Sequence, residues 1–313
     1  MVGRIVLLAA LVLTALPATA GQTGRSPVKV FILAGQSNME GQAVVDLDHE
    51  KYYNGGKGTL VHVMKHSPLK DRYNHLKDAK GDWTVRHDVW VWYRNGRGAL
   101  KKGPLSIGYA VYGGRHHFGP ELQFGHVMGH LFENQVLLIK TAWGGKSIYV
   151  DFRPPSSGGK VGPCYTKMLE EIREVLGDIK AQFPDYDGQG CEIVGLVWFQ
   201  GWNDMCTKPA IPEYEQNLAN LIQDVRKELK LPNLPVVIGE TGNCNHTVFR
   251  AAQAAVAKRP EFKGTVAFVP TERFRRPATE SPNTGHGHHW FGNAESYFLI
   301  GDAFGEAMKG LLK

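Results

Sequence analysis

The sequence predicts a parallel, doubly wound α/β fold, and three observations carry that prediction. Short, nearly continuous apolar runs recur at 28–34, 136–140, 193–199, 236–239 and 265–269. Runs of this length that are apolar throughout suit parallel strands covered on both faces. Segments with helical spacing separate them, at 165–183, 214–229, 251–257 and 293–312. Strand and helix in alternation imply a parallel sheet with helices packed on its faces. Many of the 37 glycines fall just after the apolar runs, where loops need positive φ or close backbone approach.

Each element has its own justification. The first run, Val28 to Ala34, is β-branched and stops at Gly35-Gln36-Ser37-Asn38, so it reads as a buried strand followed by a small-residue turn. The helix at 165–183 carries Met168, Leu169, Ile172, Val175, Leu176 and Ile179 on one stripe, with Met168 as core filler. The last helix is expected to turn Tyr297, Leu299, Ile300, Phe304 and Met308 inward. Residues 42–118 break the rhythm, because they are too many for a simple strand-to-helix loop. Within them Asp88-Val-Trp-Val-Trp-Tyr93 alternates and is expected to be an added strand or half of a hairpin. The insertion is rich in glycine, histidine and aromatics, which suits either a substrate-binding lobe or a satellite hydrophobic cluster. Phe118-Gly-Pro-Glu121 then opens a helix, with Pro120 near its first turn.

The amino terminus reads as a targeting segment. Arg4 is followed by an apolar stretch over 5–16, Pro17 ends it, and Ala18-Thr19-Ala20 has the small residues of a cleavage site. The stretch is too short for an ordinary membrane span. The expectation is a signal peptide over 1–20, a single domain over 21–313, and a secreted or periplasmic protein. The formal charge is +6, and loss of Arg4 with the leader leaves one less. Basic residues are interspersed with acidic ones rather than gathered in a stripe, which argues against nucleic acid as a partner. Four cysteines, Cys164, Cys191, Cys206 and Cys244, allow three pairings. Cys206 and Cys244 each follow a strand and could meet at one sheet edge. No Cys-x-x-Cys pair is present, which argues against structural zinc.

Chemistry concentrates after the strands. Ser37 follows the first, Gly144-Gly145 the second, and Gln200-Gly201-Trp202-Asn203-Asp204 the third; His286, His288 and His289 precede the last helix. A doubly wound sheet brings such segments to one edge, the edge at which ligands bind. A serine there is a candidate nucleophile, or a turn serine that caps a helix. Ester hydrolysis needs a histidine to take the serine proton and return it to the leaving alcohol. It also needs donors for the oxyanion. The N–H groups of Ser37 and of one glycine of the 144–145 pair, with the Asn203 amide, supply them. Asp204 and Glu121 read as structural, a turn former and a helix N-terminal charge. The histidine cluster could also bind metal, but no carboxylate or cysteine stands at ligand spacing, so neither metal nor cofactor is expected.

Gly-Gln-Ser-Asn at 35–38 and Gly-Trp-Asn-Asp at 201–204 resemble the first and third blocks of the SGNH (GDSL-like) hydrolase superfamily. Phe31 to Gly41, Phe118 to Leu122, Gly144-Gly145 and Trp198 to Gly201 resemble its sialate O-acetylesterase branch, the acetylxylan-esterase-like carbohydrate esterase family six. The resemblance implies a flavodoxin-like three-layer sandwich and a serine esterase that removes acetyl groups from carbohydrates. It implies Ser37 as nucleophile, His289 as base, and Ser37, Gly145 and Asn203 as the oxyanion hole. Gln36, Gln200 and Trp202 are then expected to touch substrate. Two departures stand out. The family's Gln-Gly-Glu has become Gln200-Gly201-Trp202, which puts an aromatic face where a carboxylate is usual. The family's Asp-x-x-His has become His286-x-x-His289, so the acid behind the histidine is either absent or supplied by Glu280, Glu272, Glu121 or Glu240. A lipase- or thioesterase-like hydrolase, or a carbohydrate-binding protein without activity, are the competing readings.

Overall fold

The computed structural model describes residues 26–242 and 245–313. The leader expected at 1–20 and Cys244 lie outside them. Among the described residues nine strands occur: β1 (Val28–Gly35), β2 (Ala43–Val44), β3 (Arg86–Arg94), β4 (Leu100–Leu105), β5 (His117–Phe118), β6 (Val136–Ala142), β7 (Cys191–Phe199), β8 (Val236–Gly239) and β9 (Val266–Val269). Seven form one sheet in the order β4-β3-β6-β1-β7-β8-β9. All neighbours pair in parallel except β3 with β4. The five strands expected from the apolar runs are β1, β6, β7, β8 and β9. Their order places β1 inside the sheet, where the winding direction reverses.

Alternation along β1 builds two cores. Val30, Ile32 and Ala34 pack with the helices Pro163–Gly177 and Tyr214–Leu229, while Phe31 and Leu33 pack with Glu121–Leu131 and Ala294–Leu311. Burial on both faces explains why the strand reads as a continuous apolar run. The result is the three-layer doubly wound sandwich expected from the sequence.

The insertion contributes to the main sheet. β3 pairs in parallel with β6, from Val89 opposite Val136 to Tyr93 opposite Lys140, and turns back through a hairpin into β4. The 88–93 segment is therefore both an added strand and half of a hairpin. β4 reads Leu-Lys-Lys-Gly-Pro-Leu, a composition suited to an outer edge that must not recruit further strands. β2 and β5 form a small antiparallel ribbon that closes the insertion on itself.

Some boundaries differ from expectation. The helix expected over 165–183 is two, Pro163–Gly177 and Ile179–Gln182. Asp178 leaves helical geometry, and its carboxylate accepts the Ala181 N–H, starting a new turn. The helix expected at 251 begins at Thr247, where the His246 side chain caps the Phe249 N–H. Among the described residues, no helix is long and apolar enough to cross a membrane. Cys164, Cys191 and Cys206 are not joined to one another.

One buried ion pair stands out. Lys140 at the end of β6 and Glu121 at the head of its helix are both fully buried, with Nζ 2.8 Å from Oε2. The ammonium also donates to the carbonyls of Glu40, at 2.8 Å, and Tyr109, at 2.7 Å. Glu121 Oε1 in turn accepts the Gly119 N–H. Lys140→Met, which strands Glu121 without a cation, is expected to lower stability by about 3–5 kcal/mol in urea unfolding. Adding Glu121→Leu should recover part of that loss. An equal loss in the double variant would mean that the carbonyl contacts, not the charge pair, carry the effect.

Candidate active site

Register sets the site. Gly35 of β1 is level with Ala142 of β6 and Phe199 of β7, so the segments that follow emerge side by side. Gly35 has φ +156°, and a Cβ there would fall 2.2 Å from the Phe199 carbonyl oxygen. Only glycine permits that approach. The chain then turns into the one-turn helix Ser37–Glu40. Ser37 is 9% exposed, and its Oγ lies 3.0 Å from His289 Nε2.

The histidine arrives on a strained loop. Trp290 and Phe291 have φ of 53° and 54°, a region that bulky residues rarely occupy. The loop is over-determined by its surroundings. His286 O accepts the N–H groups of His289 and Phe291, and Asn283 N–H donates to Phe291 O. Trp290 is buried. Asn38 ties this loop to the serine turn: its amide donates to His288 O at 3.0 Å, and its Oδ1 accepts the Tyr297 hydroxyl at 2.6 Å.

No carboxylate among the described residues pairs with His289. Its ring instead lies beside other imidazoles, 4.0 Å from that of His288 and 6.3 Å from that of His286, centre to centre. Burial, and then His288 and His286, lower its pKa to about 3. The acids considered from the sequence are engaged elsewhere or make no contact with it. Glu121 holds Lys140, Glu240 pairs with Arg250 at 2.5 Å, and Glu272 pairs with Arg250 and Arg275. Glu280 lies on the short turn Ala278–Glu280, where its backbone carbonyl accepts the Asn293 amide.

The expected oxyanion donors gather on the other side. Asn203 Nδ2 donates to Gly145 O at 2.7 Å, and its Oδ1 accepts from Gln36 Nε2 at 3.3 Å. Gly145 has φ +70°. Gly144 lies against the Glu40 carboxyl group, whose Oε2 a Cβ on that glycine would meet at 3.0 Å. Glu40 is itself buried, bonded by the Tyr93 hydroxyl at 2.9 Å. Burial raises its pKa against the opposing pull of Tyr93, Lys140 and Gly144.

The residues expected to touch substrate divide. Trp202 is partly exposed, and its ring lies 5.6 Å from that of His288. Gln36 and Gln200 are 2% and 1% exposed, and their amides are spent internally. Gln36 Oε1 accepts the Gly201 N–H at 3.0 Å. Gln200 donates to Lys146 O and Asp204 Oδ2. In this structure both amides bond within the edge, joining the serine turn to the segments after β6 and β7.

Several contributors escaped sequence reading. Asp204 accepts the N–H groups of Ile148 and Tyr149, joining the loop after β6 to the turn after β7. Burial pushes its carboxyl up to about 6 despite these bonds and that from Gln200. Gln42 Nε2 donates to Ser37 O at 3.2 Å. Nothing in their spacing marks these roles; only Asn38 and Asp204 sit inside motifs. Among the described residues, no group of three or more His, Cys, Asp or Glu is placed to hold a metal ion. A cavity of about 620 Å³ is lined by Lys57, His62, His66 and Arg276, with neither Ser37 nor His289 on its wall.

Comparison with known proteins bears on the family and the fold. A probable carbohydrate esterase of Arabidopsis thaliana is 25% identical over 214 residues, covering 67% of this chain and 68% of that protein. Two solved structures share the fold. An Arabidopsis thaliana protein has a TM-score of 0.58 at 17% identity, covering 90% of this chain and 98% of its own. NanS has a TM-score of 0.53 at 16% identity, covering 91% and 98%. The family described as carbohydrate esterase, sialic acid-specific acetylesterase matches residues 27–308. With nearly the whole described chain inside that match, this protein belongs to the sialic acid-specific acetylesterase family of carbohydrate esterases and is a carboxylic ester hydrolase.

Proposed function

We propose that the protein is an exported esterase that removes O-acetyl groups from carbohydrates, of acetylxylan or sialate type, with Ser37 and His289 acting as a dyad. The observation that supports it best is the 3.0 Å contact between Ser37 Oγ and His289 Nε2, at an edge where the Asn203 amide also meets the Gly145 backbone at its carbonyl. For Nε2 to accept the serine proton, the ring proton must sit on Nδ1. Ser37 Oγ then attacks the acetyl carbonyl, and the proton passes to Nε2. The oxyanion faces the Ser37 and Gly145 N–H groups and the second N–H of Asn203 Nδ2. Collapse of the tetrahedral intermediate breaks the bond to the sugar oxygen, which takes the proton from His289. Water, deprotonated by the same histidine, releases acetate from the acetyl-serine.

The absent carboxylate favours one second reading, a carbohydrate-binding protein on the same fold that has lost its activity. Acetate release from small acetyl esters separates the two. Ser37→Ala is expected to lower kcat/KM by about 10³-fold or more. His289→Ala should have a similar effect and His288→Ala a much smaller one. Wild type and Ser37→Ala with the same near-zero rate would leave only the binding reading.

The pH dependence follows from the environment of His289. Its folded pKa lies below the ordinary value of 6.5, at about 3, so the base stays neutral through the weakly acidic range. The kcat/KM profile is expected to be flat from pH 8 down to about 5 and to fall only as pH approaches the folded pKa. A limb centred near 6.5 would contradict this. Restoring the family pattern with His286→Asp is expected to raise kcat about tenfold and move the acidic limb towards neutrality. An unchanged profile in an active, folded variant would mean that position 286 cannot reach the His289 ring.

A further inference from the structure

The insertion presents one aromatic side chain in an unusual setting. Tyr112 is 45% exposed. A lone exposed aromatic ordinarily needs no explanation, but this one is fixed at three levels. Its hydroxyl donates to Gln42 Oε1 at 2.6 Å, and Gln42, itself buried, donates to Ser37 O. The ring is therefore two hydrogen bonds from the backbone of the serine. Its backbone is held by Lys101 of β4, whose ammonium donates to the carbonyls of Gly108, Ala110 and Tyr112 at 2.7, 2.9 and 2.5 Å. All three donors of one ammonium are thus used on a five-residue loop. Asn95 adds a bond to Val111 O. One side of the ring is backed by His117, 4.3 Å away centre to centre.

A side chain needed only for packing would be buried. Here the loop and hydroxyl are immobilised while almost half of the residue stays in solvent. That is the form of a preorganised contact surface, because the ordering cost is met before anything binds. The placement complements Trp202. β4 runs antiparallel to its neighbour β3, and Lys101, level with Tyr93 and Lys140, holds the loop of Tyr112 back near the edge where β1 and β7 end, on the other side of β1 from Trp202. A pyranose ring has an apolar C–H face that packs on an aromatic face.

We propose that Tyr112 determines specificity for the sugar: its ring is the platform on which the acetylated saccharide rests beside Ser37, and Lys101 is the positioning residue that holds it there. The proposal rests on the esterase reading above. The test compares wild type, Tyr112→Ala and Tyr112→Phe on p-nitrophenyl acetate, acetylated xylo-oligosaccharides and O-acetylated sialic acid. Tyr112→Ala is expected to raise KM for the saccharide that wild type cleaves by about tenfold. Any change with p-nitrophenyl acetate should be several-fold smaller. Tyr112→Phe, which keeps the ring and loses the Gln42 bond, should restore most of the saccharide KM. Equal effects on both ester classes, or no effect on either, would overturn the platform while leaving the esterase reading intact. Wild type that cleaves p-nitrophenyl acetate but neither saccharide would overturn the carbohydrate reading and the platform together. No acetyl ester cleaved at all would overturn the esterase reading itself.

Discussion

The ammonium of Lys140 joins three pieces of chain that meet beneath Ser37. It binds the Glu40 carbonyl at the end of the serine turn, the Tyr109 carbonyl in the insertion, and the Glu121 carboxylate at the head of a core helix. Removing a charge from water is costly, so a buried pair persists only where its geometry is good and its remaining bonding capacity is filled. Here every donor of the ammonium has a partner, and the ring of Tyr93 covers it at 4.9 Å. Any displacement of the serine turn or of the insertion would break one of these bonds without water to replace it. The position of Ser37 relative to the rest of the sheet is thereby set from below, before any contact with the histidine loop is counted.

Above that anchor, the polar residues of the turn are divided among the neighbouring segments. Gln36 bonds the turn after β7, through Gly201 and Asn203. Asn38 bonds the histidine loop and the last helix. Gln42 bonds the carbonyl of Ser37 and the insertion. Four separate stretches of chain are thus aligned by short side chains from one heptapeptide. This explains why the segment reads as so distinctive a motif. Gln36, Asn38 and Gln42 hold partners in register, and Ser37 places its hydroxyl within hydrogen-bond reach of His289.

The fold was legible because strands buried on both faces leave continuous apolar runs, and all five of those runs became strands. Ser37, Asn203 and His289 could be located because each follows or precedes a recognisable element; the register of β1 with β7 sets the first two side by side, and the Asn38 bond to His288 O ties in the histidine loop. What stayed hidden depends on long-range partners. Lys140 closes an apolar run without any local mark of its partners, and Glu121 and two carbonyls make its burial possible. The internal bonds of Gln36 and Gln200 stayed hidden because a polar residue at a sheet edge has the same local signature whether it faces ligand or its own backbone. The break at Asp178 was missed because the apolar stripe continues through it, while the capping bond that ends one helix and starts the next is a local competition invisible to periodicity.

The histidine cluster poses the sharper physical question. An acid behind a catalytic histidine both fixes the tautomer and stabilises the imidazolium formed as the serine proton is taken. In this chain the left-handed turn at Trp290 and Phe291 and the Asn38 bond to His288 O confine the loop that carries the ring, which sets its position but not its tautomer. The second task has no carboxylate to perform it among the described residues, and the adjacent imidazoles oppose it. On the proposed dyad, a base held neutral in this way is available across a wide acidic range, yet each proton it accepts is poorly stabilised. Availability and basicity are therefore traded against each other at one atom. His286, at the position of the family's aspartate, is where the sequence sets that balance, because a carboxylate there would favour the imidazolium and a histidine does not.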